Sequence, residues 1–326
     1  MKTQVGKYRI LRELGRGGMG VVYLAEDTSI SRNVAIKVLY DNLGRDEEFR
    51  SRFAEEARVV AAIRHPNVIH LNAFGTFDDE LVIDNEFMDG GSLFDRLSTQ
   101  TISPVDAIGT LRPILEALAH CHDQGIIHRD VKPSNILFDS RAGIKLSDFG
   151  LAKAYSAVVE RMMAHSSSCL FVGTPQYAPP EAWESGEPTP AWDVYSTGVV
   201  IHEILLGKLP YTGTTPLALL KQILTVPPPT LRGARDDLSP AFIDVVDRML
   251  STDESRRIVD ARQAIDELMA TPEGKAQRES DSATVFDRVP RTRKRRAPRR
   301  KQATRFGKWE YVASAALAVA ALVAAI

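Results

Sequence analysis

The stretch His128–Asn135 reads HRDVKPSN, and the tripeptide DFG begins thirteen residues later, at Asp148. Asp130 can accept the proton of an attacking hydroxyl, and Lys132 can place a fixed positive charge beside a transferring group. Asn135 and Asp148 can each hold a Mg²⁺ ion that bridges phosphate oxygens. Phosphoryl transfer mainly requires positioning and cations around the phosphates, so this spacing of residue types predicts that chemistry.

Further motifs lie in order around these two. They are GRGGMGVV at 15–22, VAIK at 34–37, GTPQYAPPE at 173–181 and DVYSTG at 193–198. Together with HRDVKPSN and DFG they resemble the motif set of Hanks-type (eukaryotic-type) serine/threonine protein kinases. Because so many matches occur in one order between residues 8 and 271, chance does not explain them.

The resemblance implies an α+β, bilobal protein kinase fold. A small β-rich N-lobe is expected at 8–87 and a larger helical C-lobe at 92–271, with the nucleotide in the cleft between them. The length of 326 residues agrees, because one hydrophobic core rarely serves so long a chain. A composition with 44% hydrophobic and 25% charged residues also fits a soluble enzyme.

The expected activity is that of the family. The resemblance implies ATP and Mg²⁺ as cofactors and transfer of the γ-phosphoryl group to Ser or Thr of protein substrates. Lys132 favours these hydroxyls, because the tyrosine kinases of the family carry a different loop after the aspartate. The alternative function is a pseudokinase scaffold that binds nucleotide and partners without turnover. The presence of Lys37, Asp130, Asn135 and Asp148 favours the enzyme.

The resemblance also assigns residues to ATP binding. These are Leu14, Gly15, Gly17, Gly18, Gly20, Val22, Ala35, Lys37, Glu56, Glu86, Met88 and Leu137. The glycines let the backbone approach phosphate oxygens without an intervening Cβ. Lys37 ends an apolar strand, shares a face with Ala35, and needs a partner if it faces the cleft. Glu56 is preferred to Glu55 as that partner, because the apolar stripe of its helix lies on that side.

Four further residues have structural roles in the family. Thr174 is expected to contact both the catalytic aspartate and Lys132. Glu181 and Arg257 are expected to pair and to hold the end of the activation segment. Asp193 is expected in the helix that anchors the catalytic loop from below.

Three positions depart from the family pattern. Pro179 replaces the alanine of the family's APE sequence, but Glu181 survives, so we expect the segment to hold. Asn85 stands at the gatekeeper position before the hinge, and Asp84 replaces an apolar residue. If Asp84 is buried it needs a partner or a shifted pKa, and alternation along the strand leaves open that it points outward.

The loop between Leu151 and Val172 contains three consecutive serines, at 166–168. A phosphate on this loop could pair with Arg129, which directly precedes the catalytic aspartate. We therefore predict activation by phosphorylation at Ser166 or Ser168, with a transient homodimer for autophosphorylation in trans. A plain polar loop is the alternative.

Positive charge is concentrated towards the C-terminus. Residues 276–308 carry twelve Lys or Arg and three Asp or Glu, in a chain whose net charge is −1. Because few apolar residues accompany these charges, we expect a disordered basic juxtamembrane linker at 272–308. Phosphorylated residues in its acidic start could dock a phosphothreonine-reading domain.

The last eighteen residues, 309–326, predict a C-terminal hydrophobic helix. Trp309 and Tyr311 suit a membrane interface, and fifteen apolar or small residues follow. A helix of this length spans about 27 Å, close to the roughly 30 Å of a bilayer core. This predicts a single-pass transmembrane anchor in the cell membrane with the kinase in the cytoplasm, a layout similar to that of bacterial receptor-like kinases. A helix lying on the surface is the alternative. The basic linker would then meet acidic lipids, and no nucleic acid is expected as a partner.

Overall fold

The computed structural model describes residues 2–41, 47–98, 102–141, 143–149, 174–183 and 187–280. All of them belong to one unit, Met1–Arg288. The two-lobed α+β fold that the resemblance implied is confirmed. A six-stranded sheet with one long helix forms the N-lobe, and a mostly helical C-lobe follows.

The N-lobe sheet is antiparallel, with its strands in the order β1-β2-β3-β4-β6-β5. The strands are β1 (Gln4–Val5), β2 (Tyr8–Gly17), β3 (Gly20–Asp27), β4 (Arg32–Leu39), β5 (Leu71–Phe77) and β6 (Glu80–Glu86). Helix α1 (Glu47–Ala62) lies between β4 and β5 in the chain. Its buried residues Phe53, Ala57 and Val60 join the main hydrophobic core, as their helical spacing predicts.

Alternation along β4 divides the sheet into two faces. Val34, Ile36 and Val38 pack with Tyr8 and Val82 in a cluster that we call the outer layer. The intervening residues of β4 point to the opposite face, which is the face that the cleft uses. That face carries Lys37, and Leu39, Leu81 and Ile83 on the same side join the main hydrophobic core.

The C-lobe is built around one central helix. Its helices are α2 (Leu93–Leu97), α3 (Pro104–His122), α4 (Pro190–Leu206), α5 (Pro216–Thr225), α6 (Pro240–Met249), α7 (Ala261–Ala270) and α8 (Pro272–Ser280). Twelve residues of α4 are buried, including polar ones such as Asp193 and Thr197. A helix buried on nearly all sides gives a rigid base for the groups attached to it.

A short hairpin joins the two motifs that opened the sequence. Strands β7 (Ile136–Phe138) and β8 (Ile144–Leu146) pair antiparallel directly after the HRDVKPSN stretch and before the DFG stretch. Leu146 donates its backbone N–H to the Asn67 carbonyl at 2.8 Å and accepts from Ile69 N at 3.0 Å. This hairpin therefore also fixes the segment that leads from α1 into β5.

The folded part extends beyond residue 271, where the motif match ended. Pro272–Ser280, assigned from sequence to the basic linker, is helix α8. Glu273 is buried and accepts hydrogen bonds from the backbone N and the Oγ of Ser239, at 2.6 and 2.7 Å. Ser239 is the N-cap of α6. Glu273, at the start of the expected linker, therefore binds the N-terminus of a C-lobe helix.

Several sequence predictions fall on residues outside the described part of the chain. They are Ser166, Ser168, the linker from residue 281 onward and the transmembrane segment 309–326. Within the ranges that the structure describes, no helix has the length and apolar character needed to cross a bilayer.

Candidate active site

The site rests on a buried carboxylate in the first turn of α4. Asp193 Oδ1 accepts the backbone N–H of Arg129, and Oδ2 accepts that of His128, both at 2.8 Å. His122 Nε2 lies 2.9 Å from Oδ2. Burial opposes the charge on Asp193, but the interactions with His122 and His128 together outweigh it and hold the pKa of Asp193 below its usual range.

Asp193 also holds a strained backbone. Arg129 has φ +68°, in the left-handed region that non-glycine residues rarely adopt. Such conformations persist where the surroundings over-determine them, and here two adjacent N–H groups are fixed by one carboxylate. The conformation of Arg129 therefore sets the direction in which the chain enters Asp130.

His128 connects the catalytic loop to the DFG stretch. Its side chain is fully buried, and its Nε2 lies 2.9 Å from the Ser147 carbonyl, while Asp130 N donates to its Nδ1 at 3.2 Å. A carbonyl only accepts, so Nε2 carries the proton and Nδ1 the lone pair. Phe149 packs edge-on against the ring at 4.5 Å between centroids.

Asp130, Lys132 and Thr174 form a closed triangle of hydrogen bonds. Lys132 Nζ donates to Asp130 Oδ2 at 2.5 Å and to Thr174 Oγ1 at 2.6 Å. Thr174 Oγ1 in turn donates to Asp130 Oδ1 at 2.8 Å. The structure thus places Thr174 against both residues, 44 positions along the chain from Asp130. The triangle fixes the orientation of the proposed base and puts a positive charge beside it.

Asn135 lies against Asp130 from the other side. Its Nδ2 donates to the Asp130 carbonyl at 2.8 Å and to Oδ2 at 3.2 Å, which turns the amide oxygen away as the group able to bind a metal. Ser147 N donates to the Asn135 carbonyl at 2.8 Å. Because Asp148 follows Ser147, the two proposed Mg²⁺ ligands start from adjacent backbone.

Asp148 forms an ion pair with Lys37 of the N-lobe. Lys37 Nζ donates to Asp148 Oδ1 at 3.0 Å, and the lysine side chain is only 11% exposed. Burial opposes the charge on Asp148, but Lys37, together with Lys132 and His128, outweighs it and holds the pKa of this carboxyl below its usual range. Asp148 is therefore ionised near neutral pH, as a metal ligand must be.

This ion pair gives Lys37 a partner that sequence analysis did not assign to it. The predicted partner, Glu56, is half-buried while Glu55 is exposed, so α1 presents the expected glutamate towards the protein. The charge of Glu56 also acts on the guanidinium of Arg129, where burial lowers the arginine pKa and Glu56 opposes that change. Glu56 as the partner of Lys37 stays a prediction, and Asp148 reaches the same lysine across the cleft.

Packing of the glycine-rich hairpin shows which glycines the fold itself requires. A Cβ on Gly20 would lie 2.1 Å from the Val38 carbonyl oxygen, so close packing on β4 demands glycine there. A Cβ on Gly15 or Gly17 would meet no described atom within 4 Å. Glycine at those two positions leaves open backbone of the kind that a phosphate can approach.

Register places several of the residues predicted to bind ATP on one face of the sheet. Val22 is opposite Lys37, and Ala35 is opposite Asn85, so all four share the cleft face of the sheet. The other assigned residues occupy the neighbouring strands and the segment that joins the lobes. They are Leu14 and Gly18 in the first hairpin, Glu86 and Met88 at the hinge, and Leu137 in β7.

The hinge is fixed from both lobes. Glu86 donates its N–H to the His70 carbonyl at 2.9 Å, and its Oε1 accepts from His70 N at 2.6 Å. Lys145 Nζ of β8 donates to the same Oε1 at 2.6 Å. Sequence analysis missed Lys145, because the contact joins positions 59 residues apart and no local pattern marks it.

Asp84 is buried and partnered, which decides between the two possibilities that the sequence left open. It is 1% exposed, accepts from Tyr8 and Asn72, and packs in the outer layer rather than in solvent. Burial raises its pKa, although the two hydrogen bonds lower it in part. Asn85, its neighbour, lies half-buried on the cleft face.

Glu181 and Arg257 form the expected bidentate pair. The buried guanidinium donates from Nη1 to Glu181 Oε1 and from Nη2 to Oε2, the latter at 3.1 Å, and its Nε donates to the Ser251 carbonyl at 2.8 Å. Pro179 therefore leaves the anchor of the segment after Thr174 intact.

Comparison with known proteins agrees with this geometry. The protein kinase domain family matches residues 8–271. The chain belongs to the Hanks-type serine/threonine protein kinase family. It is 39% identical over 272 residues to serine/threonine-protein kinase pkn2 of Myxococcus xanthus, which covers 81% of this chain and 32% of that protein. It is 36% identical over 228 residues to PrkC of Bacillus subtilis, covering 70% of this chain and 34% of that protein.

The chain therefore spans about a third of the length of these two kinases. Among solved structures, the kinase domain of Mycobacterium tuberculosis PknI matches with a TM-score of 0.63 and 25% identity. That match covers 82% of this chain and 98% of the PknI domain. The shared region is thus the catalytic domain, with the two lobes described above.

We expect Asp193→Asn to destabilise this kinase in a pH-dependent way. An amide cannot accept both N–H groups and carries no charge, so the free energy of unfolding should fall by about 3 kcal/mol near pH 7. Because the folded pKa of Asp193 is depressed, its contribution is present above the unfolded pKa of about 3.9 and is lost as pH falls through the folded pKa.

Urea unfolding of both proteins between pH 3 and pH 7 measures this difference. It should shrink below about pH 4, where the carboxyl of the unfolded wild-type chain gains its proton while the folded one is still ionised. Asp266→Asn, on an exposed position of α7, is the matched control and should change little. A difference that stays constant over the whole pH range would contradict the assigned role.

Proposed function

We propose that this chain is an ATP-dependent serine/threonine protein kinase that transfers the γ-phosphoryl group to hydroxyls of protein substrates. One observation carries the proposal. Asp130 is oriented by Lys132 and Thr174, beside a pair of residues, Asn135 and Asp148, that can bind Mg²⁺. Base, cation and metal ligands thus come together in one cleft, as phosphoryl transfer requires.

The residues present fit ATP and Mg²⁺. Mg²⁺ prefers few protein carboxylates together with phosphate oxygens, and Asp148 with the Asn135 amide oxygen supplies such a partial set. Within the described ranges there is no group of three or more His, Cys, Asp or Glu that could enclose a metal by itself. When bound, ATP supplies the phosphoryl group and Mg²⁺ neutralises charge on its phosphates.

Each residue then has a stated task. Asp130 accepts the proton of the acceptor hydroxyl, and its carboxylate is held in place by Thr174 from one side and Lys132 from the other. Lys132 adds positive charge where the transferred group passes. Lys37, restrained by Asp148, would offer an ammonium group of the N-lobe to the phosphates.

A scaffold without turnover is the second candidate, since nucleotide binding alone would use much of the same cleft. The hydrogen-bonded triangle around Asp130 supports the enzyme over the scaffold, because nucleotide binding does not need a positioned base. All four groups that the chemistry requires are present in the chain: Lys37, Asp130, Asn135 and Asp148.

Asp130→Asn tests the proposal. An amide cannot take up the hydroxyl proton, so ATP turnover on a generic protein acceptor such as casein should fall at least about 100-fold. Phosphate incorporation from labelled ATP, resolved by amino acid, measures it and should appear on Ser and Thr. Asp236→Asn, in an exposed loop, is the control. Equal rates for wild type and Asp130→Asn would contradict the assignment.

We further propose autophosphorylation of the segment 151–173, at Ser166 or Ser168. What supports it is the position of Arg129 next to the base. Burial lowers the pKa of this guanidinium, and its Nε has no hydrogen-bond partner among the described residues. A phosphate with three acceptor oxygens suits such a group. A transient homodimer would present the loop of one copy to the site of the other.

Mapping of phosphosites after incubation with ATP checks this. Phosphate is expected on Ser166 or Ser168 in the wild type and on neither in Asp130→Asn. Replacement of all three serines at 166–168 by alanine should lower turnover on an added acceptor by roughly tenfold or more, given about 1–3 new charge-assisted hydrogen bonds. Full activity of the triple variant would remove the idea.

The C-terminal region motivates a proposal about location. We propose a membrane-anchored signalling kinase with the catalytic domain in the cytoplasm, a basic linker on acidic lipid and residues 309–326 across the bilayer. The composition of 276–326 supports it, because a basic run followed by interfacial aromatic and apolar residues is typical of such anchors. The same proposal includes docking of a phosphothreonine-reading domain at the linker.

Extraction of cell membranes with alkaline carbonate tests the anchor. The full chain should stay in the pellet, because a spanning helix resists extraction, while a chain ending at Ser280 should be soluble. A chain in which only the basic residues of 291–301 are replaced by Gln is the matched control and should stay in the pellet. Release of the full chain into the soluble fraction would end the spanning proposal.

A further inference from the structure

A buried carboxylate lies on the side of the N-lobe sheet that faces away from the cleft. Asp84 is opposite Ile36 in register, and both belong to the face of the outer layer, next to Val82. The proposed mechanism gives this residue no task. A carboxylate among apolar side chains is costly unless it is partnered, so its partners indicate what it does.

Both oxygens of Asp84 are bound by donors from other strands. Tyr8 OH of β2 donates to Oδ2 at 3.0 Å, and Asn72 Nδ2 of β5 donates to Oδ1 at 2.9 Å. Burial and the nearby carboxylate raise the pKa of Tyr8, so its hydroxyl keeps the proton that it donates. Asp84 therefore connects β6 to its neighbour β5 and also to β2, which β3 and β4 separate from β6 in the sheet order.

Asn72 is the extra residue of a β-bulge. In the pairing of β5 with β6, Leu71 is opposite Asn85 and Ala73 is opposite Asp84, so Asn72 has no register partner of its own. A bulge bends its strand and re-aims the residues beside it. The amide of Asn72 is held by the carboxylate of Asp84, which fixes the bulged residue by its side chain.

The bulge sets the alignment of the hinge. Immediately before it, His70 exchanges two hydrogen bonds with Glu86, one to the backbone N–H and one to the side chain. A shift of one residue in β5 would bring a different backbone group opposite Glu86. Holding Asn72 in place thus holds His70, and through His70 the backbone of the hinge.

We propose that Asp84 is a positioning residue for nucleotide binding, which fixes the hinge backbone at Glu86 by anchoring the bulged Asn72. The inference rests on the proposed function, since the backbone of the hinge would bind the adenine edge of ATP. It explains why a carboxylate stands in an apolar layer, two residues before the hinge and on the face opposite the cleft.

The competing explanation is that Asp84 only stabilises the N-lobe. The two explanations separate in a variant that restores the apolar layer without the anchor. The triple variant Asp84→Val, Tyr8→Phe, Asn72→Val leaves no member of this hydrogen-bonded group unpaired, so it should keep near-native stability. If Asp84 positions the hinge, this variant should still bind nucleotide poorly.

Steady-state kinetics with varied ATP is the measurement. The triple variant is expected to raise KM for ATP roughly tenfold, with kcat within about twofold, because the chemistry groups are untouched. Asp84→Asn should preserve nucleotide binding. The amide oxygen of the new Asn side chain accepts from Tyr8, and its NH₂ donates to the Asn72 amide oxygen once that amide has rotated. KM for ATP should therefore stay within about twofold of wild type. Asp27→Asn alters another buried carboxylate of the lobe, which binds Lys7 and Ser29, and should leave KM unchanged.

Hydrogen exchange gives a second readout that stability alone would not move. The amide of Glu86 should exchange about tenfold faster in the triple variant, while the amides of α4 keep their protection. Wild-type KM and unchanged Glu86 exchange in a stable triple variant would overturn the inference. If the wild type shows no turnover, the proposed function fails instead, and calorimetric titration with ADP decides the role of Asp84 in the same set of variants.

Discussion

The hydrogen bonds from the backbone of the catalytic loop to Asp193 are the constraint on which the rest of the site depends. Helix α4 is buried on nearly all sides, so the carboxylate in its first turn has little freedom. It fixes two successive N–H groups, and with them the left-handed conformation of Arg129. The position of Asp130 follows from that conformation, since a residue with positive φ turns the chain sharply. The packing of α4 thereby fixes the direction in which Asp130 leaves the backbone.

Charge in the cleft is balanced pair by pair. Lys132 is held by Asp130, and Lys37 is held by Asp148 from the opposite lobe. Each lysine would be costly in this partly buried place if it stood alone, and a nearby cation is what keeps a buried carboxylate charged. The pair Lys37 and Asp148 joins the lobes directly, so the charge on Asp148 depends on a residue of the opposite lobe. Glu56, which the family pattern assigns to Lys37, also acts on Arg129, the residue beside the base.

Local motifs predicted the parts of the site that are built from consecutive residues. HRDVKPSN predicted Asp130, Lys132 and Asn135 in one loop, because short spacing leaves few geometries. The alternation Val34-Ala35-Ile36-Lys37 predicted which residues face the cleft. Long-range contacts such as Glu181 with Arg257 were predicted only through the family resemblance, and two others were missed: Lys145 with Glu86 and Lys37 with Asp148. Several partners of the right charge exist along the chain, and only packing of the lobes decides among them.

The departures from the family pattern differ in whether they need new side-chain partners in the fold. Pro179 changes one backbone position, and the Glu181–Arg257 pair beside it is unaffected, so no new partner was needed. Asp84 introduces a charge into an apolar layer, and its burial requires both Tyr8 and Asn72 as donors. A charged residue in an apolar layer runs against the usual pattern of a strand. Where donors from two other strands stabilise such a residue, a functional role is expected. One of those donors, Asn72, is the bulged residue close to the hinge, so Asp84 holds the strand beside the hinge from the face of the sheet opposite the cleft.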